Sequence, residues 1–511
     1  MNKTARLLCA VMALITILTA FGCVTRPTPP DVTDTNAPEE RATSADEAVT
    51  AVPDTQRTSV TTNAPESTPA PETTKAQETT KVPETAKAPE TPKAPETTKT
   101  PETTKAPETT KKEETTEMPG PADPTVLNYS DKKCMWLSQF DLNKVYSAGG
   151  KQRNRAQFEK YIKKIIANVK DNGINTIIVQ VRPYADSMYP SDVYPMSSYV
   201  VGAYGNNADY DAFDIIIREG HAAGLSVHAW INPMRAMLVK EITKVPAKYN
   251  IREWYDDASK RGKYLVTVSD RVYLNPAYPE VRQLIIDGAA EILARYAVDG
   301  LHMDDYFYPT QSTSFDSAAY SEYKKNGGKL SLADYRRDCL SQLVGGLYST
   351  VKKANSNVLF GISPAGNIGT VYEKQYADVY LWCSKESYID YICPQVYFGL
   401  EHQTFDFKKV SDTFAGIIKT DSVELIIGMT LGKAKSGTDQ YAGTGKNEWK
   451  KNKDVLVRCL EYTKSVKRCS GVAYFCYQYF YDPISGASVS ETKAERDKFV
   501  PLLKTITWSN R

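Results

Sequence analysis

Eight short apolar runs, each ending in polar or aromatic residues and separated by helical patterns, set the strongest limit on how this chain can fold. They occupy 135–141, 174–182, 225–231, a stretch following the Asp299-Gly300 turn, 358–364, 391–397, 425–430 and 471–477. Between the first two, Phe158, Ile162, Ile165 and Ile166 recur at helical spacing over 155–170, and Asn172-Gly173 stops the helix. A second helix is expected over 212–223. The longest is expected to run from Tyr278-Pro279-Glu280 to Tyr296, with proline suited to its first turn. Repeated β-then-α units make the strands parallel, and eight of them close most simply as an α/β (β/α)8 TIM barrel with its active site at the carboxyl ends of the strands. An open doubly wound sheet would want a glycine-rich phosphate turn after strand one, and none is visible.

The barrel accounts only for 128–511. In 1–23, Lys3 and Arg6 precede an apolar run from Leu7 to Phe21, too short for a comfortable membrane span and followed by small residues, the pattern of a secretory signal. Its end, Leu18-Thr19-Ala20-Phe21-Gly22-Cys23, resembles a bacterial lipobox, with Ala20 standing where leucine is usual. Two outcomes stay open: an exported lipoprotein anchored to the membrane through lipidated Cys23 and facing the cell wall, or a freely secreted protein. From 24 to 127 the chain is rich in Pro, Thr, Glu and Lys, and 71–118 consists of eight hexads of the form Pro-Glu-Thr-Thr-Lys-Ala, all but two with proline. Such units have no apolar face to stack, so this part is expected to be a disordered tether. Roughly 100 partly polyproline-II residues could reach on the order of 300 Å if extended, enough to carry a domain through a thick wall.

With 63 basic against 61 acidic residues and no basic stripe, nucleic acid is excluded as a partner. Leaving out Cys9 and Cys23, seven cysteines remain in the barrel region; their number is odd and their spacing fits no zinc pattern. Core packing is the favoured reading, with a Cys469–Cys476 pair left open. Only four histidines occur, none in His-x-His or His-Glu-x-x-His spacing, so no metal and no other cofactor is expected; His302 with Asp304 is the single pair that could grip a divalent ion. No Gly-x-Ser-x-Gly elbow of a serine hydrolase appears. A monomer is expected.

Chemistry concentrates in Val298-Asp299-Gly300-Leu301-His302-Met303-Asp304-Asp305-Tyr306-Phe307-Tyr308-Pro309, where a strand runs into two carboxylates and aromatic rings. Carboxyl groups can protonate, deprotonate or attack at an anomeric carbon, and aromatic faces suit the C–H faces of pyranose rings. The plain alternative is a strand followed by a solvated acidic loop. Period-two alternation sends Ser226, His228, Trp230 and Asn232 inward from strand three and pairs His302 with Asp304 in strand four. Strand two adds Gln180 and Arg182, strand six Gln395 and Tyr397, and the loop after strand two Tyr184 and Asp186. Asp304 is expected as nucleophile or base, projecting into a cavity shared with His228 and Arg182. Asp305, Glu401 and Asp186 stay open as the second carboxyl, and Tyr306 is expected among the substrate contacts. His221 reads as a packing or surface residue.

The segments Val179-Gln180-Val181-Arg182-Pro183, His228-Ala229-Trp230-Ile231-Asn232-Pro233, Asp299 to Pro309, Ile362-Ser363-Pro364 and Pro394-Gln395-Val396-Tyr397-Phe398, in that order and each at an expected strand end, resemble the family 10-like glycosyl hydrolases, once a domain of unknown function. The resemblance implies a TIM barrel of bacterial envelope lipoproteins that hydrolyses glycans, with peptidoglycan strands as substrate. It implies Asp304 and Asp305 as key residues, with Arg182, His228, Trp230, Asn232, His302, Gln395 and Tyr397 around them. The region after strand seven, Gly432-Lys433, departs from the pattern. The rival class is a non-catalytic carbohydrate-binding barrel on the cell surface.

Overall fold

The computed structural model describes residues 126–304 and 307–509. The expected leader with Cys23, the hexads and all but the last two residues of the tether lie outside these, as do Asp305 and Tyr306.

Eight parallel strands close into a barrel in chain order: β1 (Lys132–Leu137), β2 (Thr176–Arg182), β3 (Ser226–Ile231), β4 (Gly300–Met303), β5 (Leu359–Ile362), β6 (Tyr391–Ile392), β7 (Glu424–Thr430) and β8 (Cys469–Phe475). The ring is completed by β8 against β1, from Lys132 opposite Gly471 to Met135 opposite Tyr474. This is the TIM barrel expected from the alternation of strand and helix. Outside it pack α1 (Arg155–Asp171), α2 (Ala212–Ala222), α3 (Pro279–Arg295), α4 (Leu332–Ala354), α5 (Val379–Trp382), α6 (Phe407–Ile417), α7 (Val455–Thr463) and α8 (Ser490–Thr505). Strand parity sorts the side chains. Ile177, Val179, Val227, Ala229, Leu301 and Met303 join the large core under the helices, whereas Cys134, Trp136, Ile178, Trp230, Tyr391, Ile426 and Ala473 fill the barrel.

Several boundaries differ from the sequence reading for identifiable reasons. β1 stops at Leu137 because Ser138 caps a helix over Gln139–Tyr146, its side chain bonding the N–H of Asp141 while the Asp141 carboxylate reaches back to the Ser138 N–H. β6 is two residues long, since Pro394 has no N–H to donate; Gln395 keeps the ring closed through isolated bridges to Ala365 and Gly428. Among the described residues the longest helix is α4, 23 residues, and not the 17-residue α3. Gly345-Gly346 weakens the helical signal of α4, but a Cβ on Gly346 would lie 2.6 Å from Ile286 Cδ1, so a glycine is what permits the close approach of α3. A three-stranded antiparallel sheet of Arg235–Leu238, Leu265–Val268 and Arg271–Leu274 fills the β3–α3 connection and was not anticipated.

All seven cysteines of the described region are buried and free, Cys469 and Cys476 included. Burial pushes the Cys134 thiol up to about 12, so it stays protonated and packs as a small hydrophobe.

Candidate active site at the carboxyl ends of the strands

Register places His228 beside Gly300 and Trp230 beside His302, so inward side chains of β3 and β4 stack in layers toward the mouth. The lower layer is an uncharged network. Nδ1 of both His228 and His302 lies 2.9 Å from the Tyr391 hydroxyl, and Trp136 Nε1 donates to His302 Nε2 at 3.3 Å. An indole N–H can only donate, so His302 carries its proton on Nδ1 and gives it to the Tyr391 oxygen; Tyr391 then donates to His228. Gly300 makes room for this packing, because a Cβ there would sit 2.6 Å from the His228 ring. The two imidazoles are 2% and 0% exposed, which makes them a floor beneath the cleft where substrate contacts were expected.

Burial pushes His228 down to about 4 and His302 well below the usual imidazole range, the latter also through His228. Unfolded imidazoles protonate near 6.5, so between pH 6.5 and 4 these two sites bind more protons in the unfolded chain and their contribution to stability falls as pH drops. His228 alone should account for about 3 kcal/mol of that loss by pH 4. Asp141 and Asp186, each raised by burial to about 6, and Glu495, raised by burial to about 7, work in the opposite sense and are common to any comparison. The double variant His228→Phe, His302→Phe should therefore lose less stability than wild type over this window, as read by urea midpoints; parallel pH curves would refute the assignment.

Above the floor, Asp304 is 3% exposed and accepts from Asn232 Nδ2 at 2.5 Å. Asn232 Oδ1 accepts from Gln180 Nε2 at 2.8 Å, and Gln180 Oε1 accepts from the Gln139 main-chain N–H at 2.8 Å. Gln139 Nε2 meets the Tyr184 hydroxyl at 2.6 Å. An aromatic wall stands around the same end of the barrel. Tyr397 stacks on Phe475 at 5.7 Å, Phe475 packs against Trp136 and Tyr479, and Trp230 meets His302 edge-on with its Nε1 lacking a hydrogen-bond partner among the described residues. Gln395 is half-buried and donates to the Ser363 carbonyl at 3.3 Å.

Other expectations are corrected as well. Arg182 does not share a cavity with Asp304 and His228. The register slips between Gln180 and Arg182, which face Trp230 and Ile231, so Val181 is an extra residue and Arg182 turns to the outer layer. There its guanidinium lies 4.8 Å from the Tyr194 ring centre and Nη1 donates to the Ile285 carbonyl at 3.4 Å, fully buried under α3. Asp186 is sealed at 0% exposure, accepting from the Tyr184 N–H at 2.9 Å and the Tyr204 hydroxyl at 3.1 Å, and has no route to a glycosidic bond. Glu401 is exposed and accepts from Asn452 Nδ2 at 3.3 Å, while its N–H donates to buried Glu448. Tyr184 is buried, its ring between Arg235 and Arg271 at 4.9 and 4.6 Å, beside a polar cavity of 180 Å³ reaching Tyr204 and Glu241. The sequence reading missed Gln139, Trp136, Tyr391 and Phe475. Inward parity would have found Trp136, but nothing marks Gln139 in a segment read as strand. Among the described residues no cluster of three potential metal ligands occurs.

The family model described as glycosyl hydrolase-like 10 matches residues 132–442. Glycosyl hydrolase DigH of Escherichia coli (strain K12) is 30% identical over 369 residues, covering 66% of this chain and 80% of that protein. Glycosyl hydrolase YngK of Bacillus subtilis (strain 168) is 33% identical over 303 residues, covering 56% of this chain and 58% of that relative's length.

Proposed function

This chain belongs to the glycosyl hydrolase-like 10 family, and from that premise we propose that it hydrolyses the glycan strands of peptidoglycan by carboxylate acid/base chemistry. The observation that carries the reading is Asp304, set where β4 ends and held by the Asn232 donor at 2.5 Å among inward-facing aromatics. A carboxylate so placed suits attack on an anomeric carbon or activation of water, and the rings of Trp230, Tyr397 and Phe475 suit the apolar faces of sugars. The partner carboxyl has to stand about 5–5.5 Å away for retention or about 6.5–9.5 Å for inversion. With Asp186 sealed and Glu401 turned outward, Asp305 is the remaining candidate.

The choice of wall glycan rests on the front of the chain. A secretory leader, a cysteine at its end and a long tether would hold the barrel outside the membrane, within reach of the wall, by a lipid on Cys23 or after release. Fatty-acid labelling of cells should mark the wild-type protein and not Cys23→Ser; equal labelling would refute the anchor.

For the activity itself, the full-length protein is incubated with purified peptidoglycan glycan strands, chitin oligosaccharides and β-glucans, with products identified by mass. New reducing ends from peptidoglycan strands are expected. Binding without product on every glycan would favour the rival reading of a carbohydrate-binding barrel, for which the displacement of Asp186 and Glu401 from the site already speaks.

A further inference from the structure

We propose that Gln139, Gln180 and Asn232 form a one-way amide relay that holds Asp304 as a hydrogen-bond acceptor, which makes them positioning residues for this carboxylate. Each link follows from the one before. The relay starts at the main-chain N–H of Gln139, which can donate and never accept. Gln139 is the first residue of the helix capped by Ser138 and Asp141, so its N–H has no partner inside that helix and is available to a side chain. The atom facing it at 2.8 Å has to be an acceptor, so Gln180 presents Oε1 there and Nε2 on its other side. Nε2 lies 2.8 Å from Asn232, which fixes Oδ1 toward Gln180 and Nδ2 toward Asp304 Oδ2.

Neither amide can flip without setting donor against donor or acceptor against acceptor. Gln180 and Asn232 are 4% and 0% exposed, so no bulk water is at hand to relieve a mismatch. Asn232 is fixed a second way, by its main-chain N–H donating to the Arg182 carbonyl at 2.9 Å. Seen from Asp304, the Asn232 Nδ2–H fills one acceptor position of Oδ2, so that oxygen is held to receive from the amide, an arrangement that suits Asp304 to nucleophile or base chemistry. Gln180 and Asn232 were expected to contact substrate; the geometry gives them to Asp304.

The catalytic naming of Asp304 rests on the glycosidase reading, whereas the lock is a property of the fold, and the test separates the two. In full-length protein labelled with 15N-asparagine, the Asn232 side-chain resonance is identified by its loss in Asn232→Ala. One of its protons should lie downfield as expected for a charge-assisted bond, and should move back in both Asp304→Asn and Gln180→Met. On peptidoglycan glycan strands, Gln180→Met should lower kcat about tenfold, the worth of one such bond, with KM nearly unchanged. A resonance indifferent to Gln180→Met overturns the relay even if Asp304→Asn is inactive. Absence of turnover in wild type defeats the glycosidase reading and leaves the resonance to decide the relay. If Gln180→Met does not fold, Asn232→Asp serves: its carboxylate would have to share a proton with Asp304, and wild-type kcat in that variant would equally overturn the proposal.

Discussion

Replacing Asp304 by asparagine should lower turnover of the cleaved glycan by about 10³- to 10⁴-fold, the range for removal of a positioned acid, base or nucleophile. That corresponds to about 4–5.5 kcal/mol of lost transition-state stabilisation. The substitution is nearly isosteric, and an asparagine oxygen can still accept from Asn232 Nδ2, so the 2.5 Å contact need not collapse. Glycan binding should persist within about threefold, because the aromatic wall of Tyr397, Phe475 and Tyr479 is untouched. The measurement is kcat and KM on the same strands, with a glycan pull-down for binding. Near-wild-type turnover in Asp304→Asn would remove the carboxylate from the mechanism. Parallel loss of binding and activity would mean that the substitution damaged the mouth of the barrel and not the chemistry alone.

Why Asp304 could be found from the sequence while its neighbours could not is a matter of range. Parity is a local rule, and it holds where a strand is regular: in β3 and β4 it correctly sends His228, Trp230 and His302 into the barrel, because Trp230 pairs with His302 and every second residue faces in. One extra residue at Val181 is enough to reverse it, and Arg182 leaves the site for the layer under α3. Depth is also invisible to parity. His228 and His302 have the inward face but lie under Tyr391, and only the three-dimensional stack separates a floor from a binding surface. Loops are worse still. Asp186 follows β2 as a catalytic carboxylate might, but Ala185 at φ 53° starts a turn that buries it against Tyr204. The relay through Gln139 depends on where a helix begins, and the cap formed by Ser138 and Asp141 reads in sequence as the end of a strand. Fold class, by contrast, is written redundantly in eight runs and their helices, so errors of a few residues at their ends leave the barrel intact.

The second large effect belongs to residues 308–316, which follow β4 in the chain. Arg336 of α4 grips Asp316 with two bonds, Nε to Oδ2 at 2.9 Å and Nη2 to Oδ1 at 2.6 Å, both side chains fully buried. The same guanidinium donates to the Gln311 and Ser312 carbonyls at 3.3 and 2.7 Å and lies over the rings of Tyr308 and Tyr376. One arginine thus ties 308–316 to the outer helix, and with it the far end of the segment that begins at Asp304. Asp316→Ala would leave a buried cation uncompensated, so the loss should be about 3–5 kcal/mol, seen as a lower urea midpoint at unchanged slope. Replacing both partners, Asp316→Leu with Arg336→Met, removes the cation along with its counter-ion and should recover most of that loss, since a buried pair is dear chiefly when it is halved. Activity should separate the two variants from a purely structural account. The double variant, stable but without the four loop-holding bonds, should still turn over glycan about 10- to 100-fold more slowly, because a carboxylate site tolerates little displacement. Full activity in the stable double variant would show that the loop needs no tether to α4 for Asp304 to work.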